Sequence, residues 1–279
     1  MKIITDSGCD FSADMKQKKG INIERVPLSL QIENKNFIDD DDLNLDDFIE
    51  EMSNSKATPK TAAPSPQLYM DKFAGDDSVF AITISSKLSA SYQNAVIAMD
   101  MFLNLEENKN KFIHVFDSLS ASIGQTMIAM KINEFINNNF KENEIVEKIN
   151  NFIGGMKTFI LLEKYDNLVK NGRINPYIAK IASMLSIKPI CHGVNGEMAL
   201  LDKARGTQKA MIKLAEIIAA DNLDFKSKIL GISYVKCLDK AISLKDEILK
   251  RAPFKDVILT SAGGLVTTYA DMGGMVISY

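Results

Sequence analysis

Hydroxyl side chains crowd the segment "ITISSKLSASYQNAVIA", residues 82–98, which follows an apolar run and precedes a helical pattern. The cluster consists of Ser85, Ser86, Ser89, Ser91 and Tyr92. A serine becomes a nucleophile beside a general base, but His114 lies within a predicted strand, His192 lies in a predicted turn, and no G-x-S-x-G occurs. A serine–lysine pair would need a buried lysine, whereas Lys87 lies in a polar turn. These residues therefore argue against a hydrolase.

Other chemical motifs are missing from the sequence as well. Neither G-x-x-x-x-G-K-[ST] nor G-x-G-x-x-G occurs, so no nucleotide and no other cofactor is predicted. Histidines, cysteines and carboxylates do not cluster at ligand spacing, so no metal site is predicted. The acidic run at 39–42 lacks the glycine of a calcium loop and is typical of a solvated helix start. No residue is assigned a catalytic role.

The remaining chemistry is the binding of a small anionic group. A serine-rich turn between a strand and a helix combines hydroxyl donors with free helix amides. Thr61 adds a hydroxyl from a loop stiffened by prolines at 59, 64 and 66, and Arg205 adds a guanidinium between a strand and a helix. Simpler interpretations are that the serines only cap helices and that Arg205 is a surface residue.

The elements that position these residues alternate between strands and helices. Strands are predicted at 2–5, 79–85 and 112–118, with helices at 12–19, 89–103 and 120–139. Each strand ends in Thr, Ser or Asp, and open α/β sheets bind ligands at the carboxyl ends of their strands. A hairpin is predicted from the alternating segment "VPLSLQI" and the "ENKN" turn, and a helix begins near Pro66.

The second half of the chain also alternates strands and helices, after Gly154-Gly155. We predict an α/β protein of two domains, with a parallel-sheet α/β/α domain over 1–154 and a mixed-sheet α/β domain over 155–279.

Composition narrows the function classes. The net charge of −3 gives no attraction to phosphate backbones, so nucleic acid is not an expected partner. No apolar run is long enough to span a membrane, and the first residues lack a signal peptide, so a cytoplasmic location is expected. The three cysteines are expected to be reduced thiols, two of them buried. The fourteen methionines suit either ordinary core packing or an adaptable cavity for an acyl tail.

Ordered motifs along the whole chain resemble the DegV family of bacterial fatty-acid-binding proteins, the substrate subunits of a fatty acid kinase. The motifs are "IITDSGCD", "VPLSL", "TAAPSP", "ISSKLSASYQNA", "VFDS", "LVKNGRI", "IKPI", "GVNGE" and "KARGTQKA". The resemblance implies one fatty acid in a closed tunnel of the second domain, with its carboxylate at the domain junction.

The resemblance also implies ligand-binding residues, namely Thr61, Ser86, Ser89, Ala90, Arg205 and Tyr269. Tyr269 stands where relatives carry a histidine, so the head-group site is expected to be less positive than theirs. Ala90 stands where they carry a glycine, so the ligand head group is expected to approach this backbone less closely. Arg173 corresponds to a family arginine expected near the kinase-docking surface or in an ion pair that braces the domains.

We therefore expect a cytoplasmic protein, not itself an enzyme, that binds one long-chain fatty acid. It presents the carboxylate to the catalytic subunit of a separate fatty acid kinase, which forms the acyl-phosphate, and transient membrane contact is allowed. The alternatives are an enzyme acting on a small carboxylated or phosphorylated substrate through Arg205 and the serine turn, or a carrier of another lipophilic acid.

Overall fold

The computed structural model describes residues 1–11, 15, 21–221 and 223–279. The strands are β1 (Lys2–Asp6), β2 (Ile23–Val26), β3 (Ser29–Ile32), β4 (Lys35–Ile38), β5 (Lys60–Ala62), β6 (Val79–Thr83), β7 (Ile113–Asp117), β8 (Thr158–Leu161), β9 (Ile187–Val194), β10 (Glu197–Arg205), β11 (Ile229–Tyr234), β12 (Asp256–Ser261) and β13 (Met275–Ser278). The α-helices of the described ranges are α1 (Leu45–Asn54), α2 (Pro66–Phe73), α3 (Ser91–Leu103), α4 (Ile123–Asn137), α5 (Glu142–Gly155), α6 (Asp166–Lys170), α7 (Pro176–Ala182), α8 (Thr207–Ala219), α9 (Leu238–Leu249) and α10 (Gly264–Ala270). The helix predicted over 12–19 lies, apart from Met15, outside the described residues.

The first domain is built on a four-stranded parallel sheet in the order β2-β1-β6-β7. Strand β6 is buried at every position, as expected of an inner parallel strand covered on both faces. The predicted strands at 2–5, 79–85 and 112–118 are confirmed.

A smaller antiparallel sheet, β4-β3-β5, lies beside the parallel one. The predicted hairpin is present as β3 and β4, but the proline-braced loop contains a third strand that the sequence did not indicate. In β5, Thr61 pairs with Leu30, so the backbone of the loop is fixed at this residue.

The second domain is built on a six-stranded mixed sheet in the order β10-β9-β8-β13-β11-β12. Only β11 and β12 are parallel neighbours in this sheet. Two-residue turns favour glycine and asparagine with positive φ, and Asn195 and Gly196 join β9 to β10 with φ values of 50° and 84°. The predicted mixed sheet is therefore confirmed. The boundary predicted between residues 154 and 155 falls in the last turn of α5 and stays a prediction.

Helix α4 packs between the two sheets and joins their cores. Ile123, Ile128 and Ile132 share one apolar cluster with Phe80 of the first sheet and Val276 of the second. Helices α2 and α3 cover the other face of the parallel sheet, and α8 and α9 cover the other face of the mixed sheet.

The acidic run at 39–42 forms a turn that precedes α1, and the acidic residues in the first turn of this helix are Asp46 and Asp47, whose amides donate to the capping side chain of Asn44. Asp39 corrects the interpretation of the run as solvated, since it is 3% exposed and bonded to the start of α10.

Candidate functional site

Three strand ends of the parallel sheet meet at one edge. The carboxylate of Asp6, the last residue of β1, accepts a hydrogen bond from the Ile84 amide at 2.8 Å. The Ser85 amide, after β6, donates to the Ser120 carbonyl at 2.8 Å. The predicted convergence of these strand ends is therefore observed, and the serine turn lies between the other two loops.

The β9–β10 turn of the second domain docks on this edge. The Ser85 hydroxyl donates to the Gly196 carbonyl at 2.7 Å. A Cβ on Gly196 would lie only 2.4 Å from that hydroxyl oxygen, so the close approach requires glycine. The serine turn therefore forms part of the domain junction.

A cavity of about 340 Å³ lies at this junction. Both domains contribute to its wall, and most of the lining side chains are aliphatic. The lining residues are Leu28, Thr61, Ala63, Ile84, Leu88, Ser89, Ala90, Leu119, Ser120, Ala121, Ser122, Thr158, Ile160, Leu162, Leu168, Arg173, Gly193, Gly196, Glu197, Met198, Leu265, Val266, Tyr269, Ala270 and Val276. The second domain supplies much of the apolar part, through β8, β13 and α10.

The cavity brings together four of the six sequence-predicted site residues: Thr61, Ser89, Ala90 and Tyr269. Ser86 and Arg205 are not among the lining residues. Ser86 is exposed, and its amide donates to the Asp117 carboxylate at 3.1 Å.

Arg205 lies at the far end of β10 from the cavity. This strand has nine residues, with Glu197 at its beginning, so the two Cα atoms are roughly 25 Å apart at about 3.3 Å per residue. Arg205 is exposed there, next to Ile187 of β9. The guanidinium expected at the head group is therefore not placed there by this residue.

Thr61 and Tyr269 join the two domains across the cavity wall, with 2.8 Å between their hydroxyl oxygens. Two hydroxyls that share one hydrogen bond keep one further proton, which can be donated to a ligand. A carboxylate is an acceptor only, so this pair is suited to binding one.

Ser89 combines the capping role and the cavity-lining role. Its hydroxyl oxygen accepts from the Ser91 amide at 3.2 Å and lies 3.0 Å from the Ser91 hydroxyl. Ala90 follows it at the start of α3, where the first amides have no partner within the helix. Ser89 can therefore both cap the helix and face a ligand in the cavity.

Arg173 and Glu197 are the charged residues among the described lining residues. Both also line an outer groove next to the cavity, so they lie at its rim. Arg173 is exposed and donates to the Asn171 carbonyl at 2.9 Å. Sequence reasoning placed Arg173 near the kinase-docking surface or in an ion pair that braces the domains, and did not include it among the ligand-binding residues.

A second set of hydroxyls in the wall was also missed. Ser120 and Thr158 line the cavity with their oxygens 2.8 Å apart, and Thr158 lies 2.9 Å from Ser278. Ser122 donates its proton to the Asp10 carboxylate. The serines of "FDSLSAS" indicated this wall, but Thr158 lies in another domain and carried no local signal.

Buried acids and thiols surround the junction. Burial raises the pKa of Asp6 to about 6, although bonds from Gln125 and the Ile84 amide lower it. Burial raises the pKa of Asp10 and raises those of Cys9 and Cys191 to about 12. The two buried thiols are therefore protonated at neutral pH and poorly reactive.

The histidines and Lys87 lie outside the cavity. Neither histidine is among the lining residues, and Lys87 lies in the outer groove. Within the described ranges, no group of three or more His, Cys, Asp or Glu side chains could hold a metal ion. Nor does any described helix have the length and apolar character needed to cross a membrane.

Comparisons with known proteins extend over the whole chain. A family model described as "Uncharacterised protein, DegV family" matches residues 1–279. A DegV domain-containing protein of Streptococcus gordonii is 35% identical over 280 residues, covering 100% of this chain and 98% of that protein.

Two crystal structures are similar in fold and hold fatty acids. A DegV family protein of Ruminococcus gnavus with vaccenic acid has a TM-score of 0.92 and 34% identity, covering 100% of this chain and 99% of that one. The Streptococcus pneumoniae Fatty Acid Kinase (Fak) B3 protein loaded with linoleic acid has a TM-score of 0.90 and 30% identity, covering 100% and 98%. The resemblance read from the motifs is thereby confirmed, and this chain belongs to the DegV family.

Proposed function

We propose that this protein binds one long-chain fatty acid in the junction cavity and presents its carboxylate to a separate kinase. One observation supports this most strongly: a mostly aliphatic cavity of about 340 Å³ carries hydroxyls from both domains and an arginine at its rim. That volume lies in the range of about 300–1,000 Å³ that is usual for small-molecule sites.

The tail supplies most of the affinity in this proposal. Burying about a dozen methylenes at ~0.8 kcal/mol each contributes on the order of 10 kcal/mol. Part of this gain is lost with the translational and rotational freedom of the ligand. The wall formed by Ile160 and Val276, which are paired neighbours on β8 and β13, would contact the tail.

The carboxylate would be bound by Thr61, Ser89 and Tyr269, with the Ala90 amide close by. We assign to Arg173 the role in carboxylate binding that the sequence assigned to Arg205, because Arg173 lies at the rim of the cavity. An ionised carboxylate gains most from a guanidinium, which can donate two parallel hydrogen bonds. Neither Ser86 nor Arg205 belongs to this proposed site.

The kinase step follows from the position of the head group beside the outer groove. A carboxylate oxygen would attack the terminal phosphorus of ATP, forming an acyl-phosphate while the bond to the bridging oxygen breaks and ADP leaves. The chain carries no nucleotide motif, so ATP and the catalytic groups would belong to the partner. We place this exchange in the cytoplasm, where ATP is available.

Binding is tested with delipidated protein, vaccenic and linoleic acids, and native mass spectrometry. The protein should bind one acid molecule, and Ile160→Phe, which fills the cavity, should bind neither acid. Ile97→Phe is the control, because Ile97 is 38% exposed on α3. Failure of the delipidated wild-type protein to bind either acid would contradict the proposal.

The partnership is tested separately. The loaded protein, a bacterial fatty acid kinase catalytic subunit and ATP should yield acyl-phosphate, detected as the hydroxamate. Acyl-phosphate formed by the loaded protein and ATP without that subunit would show that the chain is itself the enzyme.

A further inference from the structure

Two buried carboxylates of the first domain bind the start of helix α10. Asp39 accepts from the Gly264 amide with one oxygen and from the Leu265 amide with the other, both at 3.0 Å. Asp10 accepts from the Gly263 amide at 2.7 Å. Three successive amides of the second domain are therefore held by two carboxylates of the first.

Asp10 extends this contact to the cavity wall and to the second sheet. Its other oxygen accepts from the Ser233 hydroxyl of β11 at 2.6 Å and from the Ser122 hydroxyl. Ser122 lines the cavity, whereas Ser233 does not. One carboxylate thus binds a wall residue, a strand of the second sheet and the beginning of α10.

The helix held in this way forms one side of the cavity. Leu265, Val266 and Tyr269 of α10 are lining residues. The approach of the helix to the first domain is close, since a Cβ on Gly264 would lie 2.5 Å from Leu43 and 2.7 Å from the Asp39 carboxylate. A shift at the start of α10 would therefore displace the side chains that face the cavity.

The contact of Asp10 and Asp39 with α10 carries a desolvation cost that opposes folding. Asp10 and Asp39 are 2% and 3% exposed, and burial raises the pKa of each, to about 6 for Asp39. Arg25 lowers both pKa values through its charge but donates its hydrogen bonds to Asp41 and Phe11. Among the described residues, no cation bonds directly to either carboxylate, and buried carboxylates of this kind are expensive to desolvate, which points to a role other than stability.

We propose that Asp10 and Asp39 are positioning residues of the binding site, which hold α10 so that Tyr269 meets Thr61. This inference rests on the proposed function for its effect on affinity, because Tyr269 is there a ligand of the carboxylate. The dependence of the Tyr269 position on Asp39 does not require a bound lipid.

Asp39→Asn is the first test. An asparagine offers one acceptor oxygen, and its amide group would face the Leu265 amide, so one hydrogen bond is lost and two donors are opposed. The dissociation constant for vaccenic acid should rise about tenfold, equivalent to about 1.4 kcal/mol. Asp42→Asn, on an exposed residue of the same acidic run, is the control and should bind as the wild-type protein does.

A spectroscopic measurement separates positioning from a general loss of stability. In protein labelled with 3-fluorotyrosine, the Tyr269 resonance is assigned with Tyr269→Phe. Asp39→Asn should move that resonance in the lipid-free protein, and Asp42→Asn should not. An unmoved Tyr269 resonance together with unchanged affinity would overturn the inference.

Two further outcomes remain informative. If the wild-type protein binds no fatty acid, the proposed function fails, while the resonance still tests the inference. If Asp39→Asn does not fold, Ser233→Ala removes one donor to Asp10 without altering a lining residue. Ser233→Ala should then weaken vaccenic acid binding and shift the Tyr269 resonance, and no change in either would reject the inference.

Discussion

Thr61 and Tyr269 are joined by a hydrogen bond of 2.8 Å between their hydroxyl oxygens, although 208 positions separate them in the sequence. Thr61 is fixed by strand β5 of the first domain, and Tyr269 is carried by α10 of the second. The bond closes the cavity wall where the two domains meet.

Removing one hydroxyl of this pair should weaken fatty acid binding moderately. In Tyr269→Phe, Thr61 keeps its proton but loses the partner that orients it, so we expect a loss of three- to tenfold, or about 0.5–1.5 kcal/mol. Titration calorimetry with vaccenic acid measures it. Tyr92→Phe, which alters a half-buried tyrosine outside the lining, is the control. Equal affinities of both variants would argue that the pair does not contact the carboxylate.

Tyr269→His should make fatty acid binding depend on pH. An imidazole with a pKa near 6.5 gains a positive charge on acidification, and a cation at this place attracts an ionised carboxylate. The affinity of the variant should therefore rise as the pH falls from about 8 to 6, relative to the wild-type protein at each pH. A parallel pH dependence in the two proteins would mean that the head group lies elsewhere.

The two arginines singled out by the sequence can be compared directly. Arg173→Gln should weaken binding of the ionised acid several-fold and leave binding of its methyl ester unchanged, because only the acid carries a charge. Arg205→Gln should have no effect on either ligand, since Arg205 lies roughly 25 Å along β10 from the cavity rim. Competition binding with both ligands measures the difference. An effect of Arg205→Gln that equals or exceeds that of Arg173→Gln would restore the sequence-based assignment.

The stability of the lipid-free protein should depend on Asp39 between pH 7 and pH 4. Burial raises the pKa of Asp39 from 3.8 to about 6, so the folded state binds this proton more tightly than the unfolded chain does. The contribution of Asp39 to the free energy of unfolding should therefore increase as the pH falls through 6, by up to about 3 kcal/mol, and level off below about 4.

The measurement is urea unfolding of wild-type, Asp39→Asn and Asp42→Asn proteins at each pH. Differences between proteins are needed because burial lowers the pKa of His114 and His192, which makes acidification destabilising. A constant difference between the wild-type protein and Asp39→Asn across this range would contradict the expected titration.

Local patterns sufficed for three of the four strands of the parallel sheet and for the serine turn, whereas β2 was not predicted. Strands β1, β6 and β7 are apolar runs that end in polar residues, and the rule for carboxyl ends indicated the serine turn as a site, within which the family resemblance selected Ser89. Thr61 was proposed from its place in the proline-braced loop, but Tyr269 was reached only through the family resemblance, because no local pattern relates residues so far apart in the sequence.

The positions of Arg173, Arg205 and Asp39 depend on contacts between distant parts of the chain, which the sequence patterns did not predict. Arg173 and Arg205 both flank turns, and tertiary packing places Arg173 beside the cavity and Arg205 at the far end of β10. Asp39 resembles its neighbours in the acidic run, and its burial depends on α10, whose sequence comes more than 200 residues later. Such distinctions depend on tertiary contacts, which propensity and periodicity do not encode.

The position of α4 between the two sheets bears on how the protein can be divided. A Cβ on Gly231 of the second sheet would lie 2.5 Å from Ile123, so the helix of one domain packs directly on the strand of the other. A fragment ending at residue 154 would expose that face of α4 to water, and a fragment beginning at 155 would leave β11 and β13 without their cover. The two domains are therefore separate in topology but are expected to unfold as one cooperative unit, and neither half is expected to be a useful expression fragment.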